Sequence, residues 1–191
     1  MKFIKEKEEI IKWGQLLNQR RLLTAKNGNL SLRVQDKQLL ITAHDSYLGF
    51  LEEEEILLCD LEGTLSGSKK EITTESNLHL GIYKRYPDIK VVLHAHSPAT
   101  TAFFSLFDSL KSFSFETKFY LSDLQIIPQS RPTVIDVDPV IDALSESKIV
   151  VLKNHGVVAV GGSFKEAFGL LELLEEQAKI NFMINSGKLG S

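Results

Sequence analysis

His94 and His96 stand one residue apart in the run Val91-Val92-Leu93-His94-Ala95-His96-Ser97-Pro98. The apolar and β-branched residues before them, bounded by Lys90 and Pro98, read as a buried strand. Side chains alternate faces along a strand, so the two imidazoles project from one face, a little under ~7 Å apart at about 3.3 Å per residue. Two such groups can converge on one cation, and zinc takes imidazole nitrogen at about 2.0–2.1 Å. A third histidine, His155, falls in the tight turn Lys153-Asn154-His155-Gly156 between two apolar runs. A loop held by rigid strands is where functional side chains tend to sit. Three histidines with no cysteine leave a coordination position open, the pattern of a catalytic rather than a structural zinc. An open zinc polarises a carbonyl or generates hydroxide, and a nearby carboxylate moves the proton. The plain alternative is a set of packing histidines with no metal.

Glu75 is the candidate carboxylate. It follows Thr73-Thr74 at a helix start, with Thr at the cap, Glu in the first turn, Leu78 and Ile82 on one stripe, and Pro87 at the end. The helix dipole alone favours an acid there. The helix also leads directly into the His94 strand, which carries its first turn toward the end of the sheet where a metal would sit. The Thr73 and Thr74 hydroxyls and the free N–H groups of that turn suit a phosphate or carboxylate. His79, one turn beyond Glu75, reads as a hydrogen-bonded packing residue. Asn27-Gly28-Asn29 reads as a tight turn whose backbone an anion could approach.

The elements that must position these groups follow from pattern. A chain of 191 residues with 43% hydrophobic and 25% charged residues reads as one soluble domain with its own core. A net charge of −3 gives no general reason to bind nucleic acid or an anionic membrane. One cysteine, Cys59, excludes an intrachain disulfide and a Cys-rich zinc site. No apolar stretch is long enough to span a membrane, and the charged N-terminus lacks a signal-peptide core, so a cytoplasmic location is expected. An amphipathic helix is predicted from Phe3 to about Arg21, then a hairpin of 30–34 and 38–42. The run Glu52 to Glu55 reads as a solvated helix start, and 56–61 as a third strand. Ser97-Pro98 and Asp138-Pro139 open helices, whereas Lys111 to Ser130 reads as irregular and aromatic, a flap or a subunit contact. Strands are predicted at 148–152 and 157–161. Ser163-Phe164-Lys165-Glu166 reads as a capping box opening a last helix to about Asn185, with residues 186–191 a frayed tail beyond the 1–185 domain.

Gly28-Asn29-Leu30-Ser31, Ile41-Thr42, Thr73-Thr74-Glu75, His94-Ala95-His96-Ser97-Pro98 and Asn154-His155-Gly156 occur in this order, and together they resemble the class II aldolase/adducin family over roughly residues 5–182. Other His-x-His enzymes fit less well. Cupins carry a Glu soon after the pair, absent from Ser97 to Ser114, and amidohydrolase barrels need a longer chain. The resemblance implies an α/β fold, a three-layer α/β/α sandwich around a mainly antiparallel sheet, and a homotetramer with sites between subunits. It implies zinc or another divalent metal on His94, His96 and His155, Glu75 as acid/base, and Asn29, Thr42, Thr73 and Thr74 as phosphate-binding residues. The implied reaction is aldol cleavage or formation of a ketose phosphate or related small sugar, through a metal-stabilised enediolate. Glu at position 75 resembles the aldolases, where epimerases of the family place Asp, and the chain is short beside the dehydratases. Adducin-like members are non-catalytic binding modules that lack the metal ligands, and a zinc hydrolase is a further alternative.

Two departures stand out. Thr42-Ala43-His44-Asp45 replaces the family's Thr-Pro-Ser-Gly, so an inward Asp45 would repel a phosphate while His44 could offset it. The tyrosine that assists the leaving alkoxide in aldolases of this kind aligns loosely near Phe115 to Tyr120, with Tyr120 the candidate.

Overall fold

The computed structural model describes residues 2–188, with side chains described through Asn185. The seven strands are β1 (Asn29–Gln35), β2 (Gln38–Thr42), β3 (Ile56–Asp60), β4 (Val91–Ala95), β5 (Gln125–Pro128), β6 (Ile149–Lys153) and β7 (Gly156–Gly161). They form one sheet in the order β3-β2-β1-β4-β7-β6-β5. Every neighbouring pair is antiparallel except β5 and β6. The helices are α1 (Ile4–Gln19), α2 (Ser76–Arg85), α3 (Pro98–Leu106), α4 (Phe115–Tyr120), α5 (Asp138–Ala143) and α6 (Phe164–Lys188).

Strand alternation divides the sheet into two apolar faces. Leu30, Val91, Leu93, Ala95, Val157 and Ala159 pack with Ile10 and Leu17 of α1, Phe103 and Phe104 of α3, and Leu171 and Leu174 of α6. Val92, Val158, Val160, Ile41 and Leu57 pack with Leu78, Ile82 and Tyr83 of α2 and Val140 and Ile141 of α5. The result is an α/β/α sandwich in which β4 is central and buried on both sides. Each fully buried Val or Leu contributes about 1.5–3 kcal/mol of hydrophobic stabilisation. A histidine in such a strand must therefore offset its desolvation with polar partners.

Four local expectations are corrected. α2 begins at Ser76, with Glu75 at its N-cap position and no side-chain cap. Thr73 lies in a preceding turn, its carbonyl accepting from Ser76 N–H at 3.0 Å. The 111–130 segment is ordered into α4 and β5, which a low density of helix or strand periodicity concealed; β5 adds a parallel edge strand beside β6. At α3, Ser97 occupies the cap position but makes no capping bond. Buried Glu175 of α6 instead accepts from Ala99 N–H at 3.1 Å and from Thr100 N–H at 2.8 Å. A carboxylate beside an N-terminus also suits the helix dipole, and this clamp fixes the chain just after His96.

The start of α6 is capped differently from a reciprocal box. Ser163 Oγ accepts from Glu166 N–H, but Glu166 Oε2 accepts from Gly162 N–H rather than from the cap residue itself. α6 continues past Asn185 to Lys188, and the rest of the proposed tail, 189–191, lies outside the described residues. No helix among the described residues is long and apolar enough to cross a membrane.

Candidate metal centre

His94 comes from β4, His96 from the residue just beyond it, and His155 from the β6–β7 turn. Register explains the meeting. β4 and β7 pair with Ala95 opposite Val157, so the end of β4 lies against the turn that starts β7. In that turn Asn154 takes the left-handed conformation at φ 65, which Asn tolerates better than most residues. Gly156 is required by proximity: a Cβ there would lie 2.6 Å from Ala95 O, 3.0 Å from His94 Cε1 and 3.2 Å from His96 Cδ2.

The three rings pack edge to face with centroids 4.8, 4.9 and 4.8 Å apart. One nitrogen from each lies within 4.8 Å of the others. His94 Nδ1 donates to Val157 O at 3.0 Å, so in the neutral ring Nε2 carries the lone pair. That Nε2 faces His96 Nε2 at 2.9 Å and Glu75 Oε2 at 3.2 Å. The His94 Nε2 lone pair thus faces the other two rings and a carboxylate, and three converging imidazoles are a suitable donor set for a cation. Burial pushes His96 down to about 3 and His155 down to about 4, with the neighbouring imidazoles adding to both. Both are then neutral near pH 7, the form that ligates metal.

Glu75 lies beside this cluster, only 4% exposed. Burial opposes its charge, but His94, the Asn29 amide, His155 and His79 together hold its carboxyl below the usual carboxylate range. Its Oε2 accepts from Asn29 Nδ2 at 2.8 Å. Its Oε1 is buried without a hydrogen-bond partner and lies 3.6 Å from His155 Nε2.

A cavity of about 160 Å³ opens in front of these groups, lined by Lys26, Asn29, His44, Asp45, Thr73, Thr74, Glu75, His96 and His155 among others. Gly28, at φ 89, shapes its edge: a Cβ there would meet His94 O at 2.6 Å. The structure thus brings Asn29, Thr73, Thr74 and His44 to the cavity. Thr42 is not among the lining residues; it is buried, its hydroxyl accepting from Leu30 N–H at 3.2 Å. Tyr120 borders a different and larger cavity of about 780 Å³, which is lined by none of the three histidines. Size alone does not mark the functional site; the cluster of titratable groups does.

Asp45 pairs with Lys26 at the cavity rim, and that hydrogen bond lowers its pKa. It takes φ 63, a conformation glycine adopts without strain, which accounts for its position in the motif. Lys26, Thr133 and Pro132 line the cavity without having been singled out from sequence. Lys26 carried a usable signal, a cation beside the Asn27-Gly28-Asn29 turn. The 132–133 segment carried none, being distant in sequence from every motif.

Comparison with known proteins agrees with this geometry. Residues 8–182 match the family model for the class II aldolase and adducin N-terminal domain. The chain is 34% identical over 179 residues to an L-fuculose phosphate aldolase of Methanococcus vannielii, covering 94% of this chain and 97% of that protein. It is 32% identical over 190 residues to a 3-oxo-tetronate 4-phosphate decarboxylase of Haemophilus influenzae, covering 96% and 90%. The crystal structure of L-fuculose-1-phosphate aldolase from Thermus thermophilus superposes with a TM-score of 0.85 at 26% identity, covering 96% of each chain. The chain belongs to the class II aldolase and adducin family.

Proposed function

We propose that this protein is a metal-dependent carbon–carbon lyase acting on a small ketose phosphate, with aldol cleavage or formation as its reaction. The observation that carries the reading is the buried Glu75 carboxylate, 3.2 Å from His94 Nε2 and 3.6 Å from His155 Nε2, at the floor of a polar cavity. His94, His96 and His155 would hold zinc or another divalent ion, which would supply stabilisation of the negative charge that develops on the substrate's oxygens. Everything else falls to side chains of this chain. Glu75 gives a proton to, or takes one from, the carbon that becomes nucleophilic; its lowered pKa keeps it ionised and so able to accept that proton in the synthetic direction. Thr73, Thr74 and the second N–H of Asn29 offer donors to an oxyanion, and Lys26 and His44 place positive or neutral donors at the opening.

The relatives name two reactions, and chemistry brings both to one species. Reversing an aldol addition in a ketulose 1-phosphate moves the C3–C4 bonding pair onto C3, conjugated with the C2 ketone. Loss of carbon dioxide from a 3-oxo-tetronate 4-phosphate moves the C1–C2 pair onto C2, conjugated with the C3 ketone. Both leave the enediolate of dihydroxyacetone phosphate, and both end when a proton reaches carbon. Decarboxylation is therefore the second reading, favoured by the likeness to the Haemophilus influenzae protein.

Assays of zinc-loaded protein separate the two. Dihydroxyacetone phosphate released from L-fuculose 1-phosphate without carbon dioxide supports the aldolase. Carbon dioxide released from a 3-oxo-tetronate 4-phosphate, with no aldehyde from the ketulose phosphate, selects the decarboxylase instead. A non-catalytic module releases neither.

A further inference from the structure

α2 and β1 are matched in pitch. Four helical residues rise about 6 Å and two strand residues rise about 6.8 Å. Glu75, His79 and Tyr83 therefore form a column along the inner side of α2, facing Asn29 and Ser31 on β1. Asn29 Nδ2 meets Glu75 Oε2 at 2.8 Å and Asn29 Oδ1 meets His79 Nε2 at 2.5 Å. Ser31 Oγ meets His79 Nδ1 at 2.6 Å and Tyr83 Oη at 2.9 Å. His79 and Ser31 are 0% exposed, Tyr83 1%, Glu75 4% and Asn29 6%.

The protons in this chain are fixed by its acceptor end. A carboxylate only accepts, so Asn29 turns its N–H to Glu75 and its carbonyl to His79. His79 must then donate from Nε2. Burial drives its pKa down to about 3, so the ring is neutral and Nδ1 accepts from Ser31 O–H. Ser31 in turn accepts from Tyr83 O–H. The single Tyr83 O–H proton is shared between Ser31 Oγ at 2.9 Å and Lys90 O at 3.2 Å, and the Arg33 guanidinium lies over the ring at 4.9 Å. A packing histidine needs only to have its polar atoms satisfied. This one decides which end of Asn29 faces the carboxylate, because a flipped amide would set two acceptors against each other at Glu75 and two donors against each other at His79.

We infer that His79 is a positioning residue: acting through Asn29, it anchors Oε2 of Glu75 and leaves Oε1 as the oxygen that exchanges the proton. The inference rests on Glu75 being the acid/base. Oε1 is the one Glu75 oxygen without a hydrogen-bond partner among the described residues. Without His79 the Asn29 amide can rotate, and the carboxylate rotates with it.

The test uses the zinc-loaded full chain and dihydroxyacetone phosphate, whose carbon-bound hydrogen exchange with deuterium oxide reports proton transfer without any aldehyde. His79→Phe keeps ring volume and removes both nitrogens. It should lower kcat for exchange by about 10–100-fold, the usual loss when a supporting partner is removed, with zinc content unchanged and KM altered much less than kcat. His79→Gln restores a donor near the Nε2 position and should recover most of that loss. A purely structural role would lower stability without this split or its rescue. Nitrogen-15 NMR of the wild-type imidazoles gives a second reading that needs no variant: His79 should be the Nε2–H tautomer, whereas a histidine whose Nε2 binds zinc carries its proton on Nδ1.

An Nδ1–H tautomer at His79 overturns the inference, as does wild-type kcat in a folded His79→Phe protein. If Glu75→Gln exchanges at the wild-type rate, the acid/base reading falls and the positioning role falls with it. An Nε2–H tautomer in that case locates the error in the chemistry rather than in the hydrogen-bond chain.

Discussion

Glu75 Oε2 stands 3.2 Å from His94 Nε2, and neither residue is more than 4% exposed. A carboxylate held this close to a buried imidazole acceptor is unfavourable unless a cation is shared or a proton lies between them. The N-terminal end of α2 adds partial positive charge at the same point. Asn29, the register partner of His94 across β1 and β4, completes the surroundings by donating to the carboxylate. Sheet pairing, helix start and side-chain chemistry thus converge on one small volume.

The first prediction concerns metal content. Replacing His94, His96 or His155 singly with Ala leaves two imidazoles, which make a poor zinc site. Each variant should lose most bound metal after dialysis, by elemental analysis, while circular dichroism shows the fold retained. Full metal content in His155→Ala would remove the turn histidine from the ligand set.

The three-histidine cluster was legible in the sequence because the positions of its members depend on local rules. Strand alternation puts His94 and His96 on one face, and a four-residue turn presents His155. Period-two patterning located individual strands, whereas the sandwich was implied by the family resemblance. What the sequence hid depends on pairing between distant segments. The Asn29–His79–Ser31–Tyr83 chain needs the β1–α2 packing, although the Glu75, His79, Tyr83 spacing on one helix was a visible clue. The clamp of Glu175 on α3 joins residues 75 apart in the chain, so Ser97 was the only cap that local sequence could offer. α4 and β5 escaped notice because each is short, four to six residues, and little buried, with too few turns or alternations to show a period.

A second prediction follows from buried neutral histidines. In the metal-free protein His79 and His96 are held at about 3 and His155 at about 4, against 6.5 for the ordinary side chain. Folded pKa values below the unfolded value mean that the unfolded chain binds more protons in acid. Stability is complete above about pH 6.5 and is lost as pH falls toward 4, at about 1.4 kcal/mol per pH unit for each proton taken up on unfolding. The thermal midpoint of metal-chelated protein should fall steeply over this window, and less steeply in His79→Gln. A flat profile from pH 7 to 4.5 would contradict neutral burial of these rings.

The third prediction tests the rim. Asp45 holds Lys26 in an exposed ion pair beside the cavity. Asp45→Gly places the residue best suited to φ 63 and frees the ammonium. Inhibition by inorganic phosphate should strengthen, by about 2–5-fold for one exposed charge pair, and the gain should shrink in high salt. Unchanged phosphate inhibition would mean that neither Lys26 nor Asp45 bears on the anion.

The most direct measurement is deuterium incorporation into dihydroxyacetone phosphate, followed by proton NMR, for wild-type and Glu75→Gln proteins each shown to carry equal zinc. Cleavage and decarboxylation share this proton transfer, so the result does not depend on which aldehyde or acid is the natural substrate. Wild type should exchange one carbon-bound hydrogen stereospecifically, and Glu75→Gln should do so about 10²–10⁴-fold more slowly, the contribution expected of a positioned acid/base. Exchange at equal rates in the two proteins, or none in zinc-loaded wild type, would contradict Glu75 and the three-histidine centre acting together on an enediolate.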